Sequence, residues 1–186
     1  MKVKDVIASA LRLIGRAELT GDIAEPTLSE YEDAAEVIGT LLYCFNAVED
    51  ELSRKYIPLV AVEEMLSPDT KFPYSDFGHY PVRIKRVTVD GRKCDFEIFP
   101  KYLEVKAKKI LTEYEYVPVR KTIDGDSDYG DDVGEYLIAL GMVSEYSVIN
   151  GEAEMADIWE KKYREQLDRV QRSLRICEHI PPRRWV

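Results

Sequence analysis

Residues 29–58 read SEYEDAAEVIGTLLYCFNAVEDELSRKYIP, and this stretch decides the first half of the fold. Its apolar side chains recur at helical spacing, which predicts one amphipathic helix of about eight turns that ends at Ile57-Pro58. Two overlapping capping-box patterns, Thr27 with Glu30 and Ser29 with Glu32, predict where the helix begins. The apolar stripe comprises Tyr31, Ala34, Ile38, Leu41, Leu42, Phe45, Val48, Leu52 and Tyr56.

A shorter helix precedes this one, and strands follow it. Residues 3–15 carry an apolar stripe that stops at Gly15, a residue typical of helix ends. Residues 57–118 change to strand patterns, and Asp90-Gly91 predicts a tight hairpin because both central residues of a type I′ turn need positive φ. The alternation slips near Lys85 and Arg86, which predicts a β-bulge. The strand residues predict one antiparallel sheet of four or five strands, built from Val82, Ile84, Val87, Val89, Cys94, Phe96, Ile98, Leu103, Val105, Tyr114 and Tyr116.

The last third of the chain reads as a helical hairpin. A polar loop leads to a helix that Asp131 or Asp132 can cap, Asn150-Gly151 breaks that helix, and a final helix runs over 152–177. We therefore expect an α+β fold with a helical pair at each end of the chain and a small antiparallel β-sheet inserted between them. The expected organisation is one domain, 1–186, with helices in 1–56, strands in 57–118, a helical hairpin in 131–177 and an extended tail in 178–186.

Composition limits the possible functions. The 186 residues carry a net charge of −9, so a sequence-independent grip on nucleic acid, which needs clustered Lys and Arg, is not expected from the whole chain. The three cysteines, Cys44, Cys94 and Cys177, are far apart and form no CxxC pair, which argues against a disulfide framework or a zinc site. No stretch approaches the roughly 18 apolar residues of a membrane span, so no membrane partner is expected. Charged Asp5 and Arg12 interrupt the apolar N-terminal run, so no secretory signal is expected either.

Motifs for catalysis are missing from the sequence. The two histidines, His79 and His179, lie beside proline-containing segments, and neither a G-x-S-x-G motif nor a phosphate-binding glycine loop is present. Asp124, Asp126 and Asp128 alternate as in a calcium loop, but Tyr129 stands where such a loop needs glycine. We expect no metal, no cofactor and no enzymatic activity. A metal-assisted enzyme with dispersed carboxylates stays as the remaining alternative.

Charge is segregated along the chain. Residues 17–53 contain ten acidic residues and no Lys or Arg, whereas residues 161–186 contain eight basic residues and three acidic ones. The strand region, residues 82–121, is also net basic. A subunit with one acidic and one basic face favours head-to-tail association, which closes into a ring where the rotation permits.

The C-terminal segment HIPPRRWV predicts a docking tail. It combines a stiff Pro-Pro step with two arginines and a tryptophan, and Arg and Trp are enriched at interface hot spots. The predicted docking residues are Ile180, Pro181, Pro182, Arg183, Arg184, Trp185 and Val186.

The order of elements resembles the head-tail connector proteins, the adaptors and gatekeepers, of tailed bacteriophages. The segments that carry the resemblance are DVIASALRLIG with its L-x-x-I-G ending, SEYEDAAEVIGTLLYCFNAVEDEL, VDGRKCDFEIFPKYLEV with YEYVP, and YLIALGMVSEYSVINGEAEMADIWEKKYREQLDRV. Within the last segment, Trp159 and Tyr163 form the W-x-x-x-Y step of the final helix. The resemblance covers nearly the whole chain in the order of its elements.

The resemblance implies a structural virion protein of the neck, between capsid and tail, made in the host bacterial cytoplasm. It implies a ring, commonly of twelve copies, that docks beneath the portal protein, contacts a downstream tail or tail-tube protein, and continues the channel for double-stranded DNA without sequence-specific binding. The C-terminal segment, Ile180 to Val186, would reach the portal. The alternative is a protein-binding or scaffolding module of a bacterial cell, in which the helices and sheet present a peptide groove.

Overall fold

The computed structural model describes residues 1–178 and confirms the predicted α+β fold, with helices towards both ends of the chain and strands between them. The chain divides into two compact units. The helical unit comprises Met1–Glu51 and the described residues from Arg120 onward, and the β unit comprises Leu52–Val119.

Four helices build the helical unit: α1 (Val3–Leu13), α2 (Ala34–Glu51), α3 (Glu135–Ile149) and α4 (Ala153–Glu178). The central helix is α3, which contacts each of the other three. Every residue from Leu137 to Ser144 is buried, as expected for a helix that neighbours enclose on several sides. At Gly141, a Cβ atom would lie 3.0 Å from atoms of Val48 and Tyr163, so the missing side chain lets α2 and α4 approach α3 closely.

The stop signal of α1 is confirmed. Gly15 has φ +77°, its N–H donates to Arg12 O, and Arg16 N–H donates to Leu11 O over 2.8 Å. These two bonds form a Schellman motif, which satisfies carbonyl groups at the end of the helix. Of the predicted apolar face, Val6, Ile7, Ala10 and Leu11 are buried and Ile14 is half-buried; Val3 is buried as well.

The predicted start of α2 is wrong. The helix begins at Ala34, and Pro26–Leu28 forms a separate 3-10 turn instead of the first helical turn. The Ser29 hydroxyl donates to Asp22 and accepts from the Tyr31 N–H, so it stabilises a local turn in place of a capping box. Beyond Glu51 the chain remains helical to Tyr56, as predicted, but Leu52–Tyr56 is a π-helix.

Two details of the helical hairpin also need correction. Helix α3 begins at Glu135, and its N-cap is Gly134 with φ 81°, not Asp131 or Asp132. The N–H groups of Val133 and Gly134 both donate to Gly130 O, which holds the preceding residues in a turn. Apolar side chains recur about once a turn along α4, and of these Tyr163, Leu167 and Val170 are buried, whereas Met155 is exposed. The predicted break is confirmed, since Gly151 has φ +74°.

The β unit contains two small antiparallel sheets, not the single sheet expected. Its strands are β1 (Leu59–Leu66), β2 (Lys71–Pro73), β3 (Pro81–Val89), β4 (Arg92–Lys93), β5 (Glu97–Ile98), β6 (Tyr102–Glu104) and β7 (Lys109–Tyr116). One sheet has the order β1-β7-β3-β4 and the other the order β2-β6-β5. Both sheets contribute to one buried core, which includes Met65, Phe72, Val87, Leu103 and Tyr114.

The predicted hairpin and bulge are both present. Asp90 and Gly91 have φ 49° and 77°, and they join β3 to β4 with Val89 opposite Arg92. The β3–β7 register shifts between Ile84 and Arg86, where the alternation slips, and again between Pro81 and Arg83. The expected strand through Cys94, Phe96 and Ile98 is wrong. This stretch contains only two strands of two residues each, Arg92–Lys93 and Glu97–Ile98.

Candidate interaction surfaces

The predicted docking residues, Ile180 to Val186, lie outside the described residues, as does His179. The docking role of Ile180, Pro181, Pro182, Arg183, Arg184, Trp185 and Val186 therefore stays a prediction.

The three alternating aspartates do not converge. Asp126 accepts a hydrogen bond from Lys2 Nζ at 2.7 Å, and Asp128 accepts one from Lys121 Nζ at 2.7 Å. The backbone of the same loop bonds to the start of the chain, since Val3 N–H donates to Gly125 O and Ser127 N–H to Met1 O. Within residues 1–178 no three carboxylate, His or Cys side chains group as metal ligands. The loop is fixed by lysines and backbone hydrogen bonds.

A buried polar cluster holds this loop against α2. Glu49 is 1% exposed and accepts a hydrogen bond from the Ser127 hydroxyl. Asn46 Nδ2 donates to Lys121 O at 3.2 Å, while Asn46 Oδ1 accepts from Lys121 N–H at 2.6 Å. Buried polar groups are costly unless they are paired. A shift of the loop along the helix would leave these groups unpaired, so the bonds define one register between the loop and α2.

Burial raises the pKa of Glu49, and the Ser127 hydrogen bond and the charge of Lys121 oppose that rise. A raised carboxyl pKa is one mark of a catalytic acid. At 1% exposure, however, the carboxyl group offers almost no surface to a substrate. The geometry therefore supports a structural role for Glu49.

A second polar pair lies in the β unit. The Tyr114 hydroxyl donates to Glu63 Oε1 at 2.8 Å and accepts from His79 N–H at 3.2 Å, and Gly78 N–H donates to Glu63 Oε2 at 3.0 Å. Burial and the Glu63 carboxylate raise the pKa of Tyr114 to about 12. The His79 ring stacks on Tyr116 with a 4.0 Å centroid separation. These contacts connect the segment before β3 to β1 and β7.

Acidic side chains are exposed on the segment that leads into α2 and on the first turn of that helix. Glu25, Glu30, Glu32 and Glu36 all face solvent, and Leu28 is 77% exposed among them. Upstream, Arg16 bonds to both Asp33 and Glu18, which lowers the pKa of each of those carboxyl groups.

Basic side chains are exposed on α4 and at one edge of the larger sheet. On α4 the exposed cations are Lys161, Lys162, Arg164, Arg169 and Arg172, of which Arg164 pairs with Glu160 and Arg172 lies 4.0 Å from Asp168. On the sheet they are Arg83, Lys85, Arg86, Arg92 and Lys93. The acidic residues near the start of α2 and the basic residues of α4 and the larger sheet therefore both have exposed side chains.

An open groove of about 290 Å³ lies in the helical unit, between the end of α1 and the α3–α4 turn. Its apolar wall comprises Leu13, Ile14, Met155 and Trp159 with Tyr146, and Arg16 and Glu152 contribute charge. The Lys162 ammonium lies over the Trp159 ring at 4.2 Å from its centroid. The wall of the groove therefore mixes aromatic and aliphatic side chains with charged and polar ones.

Comparison with known proteins adds no relative: no protein-family model matches the chain, and a search of the curated proteins gives no significant match. Within residues 1–178 the longest helices are too polar to cross a lipid bilayer.

Sequence reasoning missed both buried polar pairs. Glu49 lies four residues after Phe45 and three before Leu52, which places an acidic residue on the apolar face of α2. That placement was the one sequence signal that Glu49 is buried. Tyr114 alternates with Glu113 and Glu115, and that pattern indicates a buried side chain but not its hydroxyl partner. Glu63 gave no signal, because its partner is 51 residues away.

Proposed function

We propose that this chain is a structural virion protein, a ring-forming head-tail connector that joins the portal to the tail and continues the DNA channel. One observation carries the proposal: oppositely charged sets of side chains are exposed on one subunit, acidic ones before α2 and basic ones on α4 and β3. Opposite charges on one subunit favour head-to-tail association, which closes into a ring where the rotation permits. The order of helices and strands supports the same reading through its resemblance to connectors.

The proposal assigns the chain no catalytic role. Two buried groups with raised pKa values, Glu49 and Tyr114, hold loops to helices and strands through their hydrogen bonds with Ser127 and Glu63. Net negative charge suits the wall of a channel through which DNA slides, because it offers phosphates little to bind.

A protein-binding module of a bacterial cell is the second candidate, and the groove at Trp159 favours it. Aromatic-lined grooves recognise proline-rich and other extended peptides. The two candidates differ in partner: a connector binds a portal ring, whereas a module binds a cellular protein.

Deletion of residues 179–186 tests the connector proposal. We expect the shortened chain to keep its helical circular dichroism and to lose co-sedimentation with portal rings. The triple variant Arg183→Ala, Arg184→Ala and Trp185→Ala should show the same loss, whereas Lys106→Ala, at an exposed residue outside both charged sets, is the control and should bind normally. Portal binding by the shortened chain would contradict the docking assignment, and loss of helical signal would mean that the tail packs in the core.

A further inference from the structure

The open groove of the helical unit lies at the start of α4. Glu152 directly precedes this helix, and Met155 and Trp159 lie on its first two turns. Leu13 and Ile14, at the end of α1, complete the apolar part of the wall. Met155 is 43% exposed and the Trp159 ring is half-buried, so apolar surface at this groove is open to solvent.

Acidic side chains surround the start of α4. Glu152, Glu154 and Asp157 are exposed, and within residues 1–178 no Lys or Arg nitrogen lies within 4.0 Å of their carboxylates. The Arg16 guanidinium, which also lines the groove, already bonds to two carboxylates of its own segment. The cations of α4 all follow Trp159, and so the charge of the helix changes sign at that ring. The groove therefore offers unpaired carboxylates to an incoming cation.

The last eight residues of the chain, HIPPRRWV, have the chemistry that this groove would bind. Aromatic-lined grooves bind extended segments that contain proline, and this segment supplies two prolines and Trp185. Arg183 and Arg184 supply the cations, and arginine forms strong charge-assisted hydrogen bonds with carboxylates. We call these eight residues the C-terminal segment.

The C-terminal segment is too short to fill the groove of its own chain. Helix α4 ends at Glu178, and at a rise of about 1.5 Å per residue its end lies about 28 Å from Trp159. Eight residues span at most about 29 Å when fully extended. Only the last residue could reach back to Trp159, and the prolines and arginines would stop short of the groove. The occupant therefore has to come from another copy.

We propose that the groove of one copy of this chain binds the C-terminal segment of a second copy. The groove lies at one end of α4 and the segment follows the other end, so the contact is head to tail and each copy binds two neighbours. A portal would compete with the groove for the same segment, and in this respect the inference rests on the proposed function. The contact belongs to the protein before it joins a portal.

Sedimentation velocity of the full chain over a concentration series tests this contact. Met155→Lys places a cation in the groove at an exposed helical position, where the fold tolerates lysine and the arginines of the segment are repelled. We expect self-association to weaken at least about tenfold, as for loss of an interface hot spot. Val60→Lys is the matched control, because Val60 is 42% exposed, lies in the β unit and stands opposite Glu115. It should associate as the unchanged chain does.

Mixing two variants separates a contact between copies from a general loss of stability. The triple variant Arg183→Ala, Arg184→Ala and Trp185→Ala keeps the groove, and Met155→Lys keeps the segment. At a concentration where the unchanged chain associates, each variant alone should be monomeric. An equimolar mixture should form pairs and nothing larger, because one variant lacks a binding groove and the other lacks a binding segment.

Undiminished association of Met155→Lys, no pairs in the mixture, or a full chain that is monomeric at every concentration would each overturn the inference. Met155→Lys keeps its C-terminal segment and should still co-sediment with portal rings, so the connector proposal is tested separately. If deletion of residues 179–186 abolishes portal binding but leaves self-association unchanged, the groove contact is overturned and the connector proposal stands.

Discussion

The hydroxyl of Tyr114 on β7 donates a 2.8 Å hydrogen bond to Glu63 on β1, across 51 residues of sequence. The same oxygen accepts from the His79 N–H, and Tyr114 is fully buried. One phenol group therefore connects two neighbouring strands and the segment that enters β3.

Removing this hydroxyl should destabilise the β unit. Tyr114→Phe leaves the His79 N–H without its acceptor and the Glu63 carboxylate without one donor, so we expect a loss of about 1–3 kcal/mol in the free energy of unfolding. Urea denaturation measures it. Tyr80→Phe, at a ring that is 68% exposed, is the control and should change stability by less than about 0.5 kcal/mol. Equal stability of the two variants would show that the bond contributes nothing.

The close packing of α3 predicts opposite effects for one substitution at two sites. Gly141→Ala adds a methyl group 3.0 Å from Val48 and Tyr163, which should cost about 1–3 kcal/mol by overpacking. Gly39→Ala in α2 meets no atom within 4 Å and should stabilise the helix by about 0.5–1 kcal/mol. Thermal unfolding of both variants checks the signs. A stabilised Gly141→Ala protein would mean that α3 is less tightly enclosed than the structure shows.

The buried Glu49 carboxyl group predicts a pH dependence. Burial raises the pKa of Glu49 in the folded state, so as pH rises the unfolded chain loses this proton first, near the ordinary pKa of 4.5. The folded state therefore loses stability as pH rises from 4.5 to the folded-state pKa of Glu49. We therefore compare the free energies of unfolding of the natural chain and of Glu49→Gln. The natural value minus the variant value should fall as pH increases through this window. Denaturation at a series of pH values measures the difference. A difference that rises with pH would mean that the native site favours the charged form.

Calcium should leave the stability unchanged. Asp126 forms an ion pair with Lys2, and Asp128 forms one with Lys121. The carboxylates of this loop therefore do not converge on a point where a calcium ion could bind. A site with a dissociation constant of about 10 μM would stabilise the fold by about 2.7 kcal/mol at 1 mM calcium. We expect no shift in the melting temperature between chelator and millimolar calcium. A shift that disappears in Asp124→Asn would support the metal-assisted alternative instead.

The sequence predicted those features of the fold that depend only on residues close together in the chain. Gly15 predicted the end of α1, and Asp90-Gly91 predicted the hairpin, because both require positive φ. The start of α2 could not be predicted, because Ser29 satisfies the same pattern by bonding to Asp22. The second sheet was missed since strands of two or three residues show no alternation. Long-range pairs such as Glu49 with Ser127 depend on tertiary structure that no local pattern contains.

The most direct test of the connector proposal is cryo-electron microscopy of this protein in purified particles of the phage that encodes it. We predict a ring between portal and tail, with residues 180–186 of each copy reaching the portal. Absence of the protein from the particles would contradict the connector proposal and leave the cellular binding module as the better account.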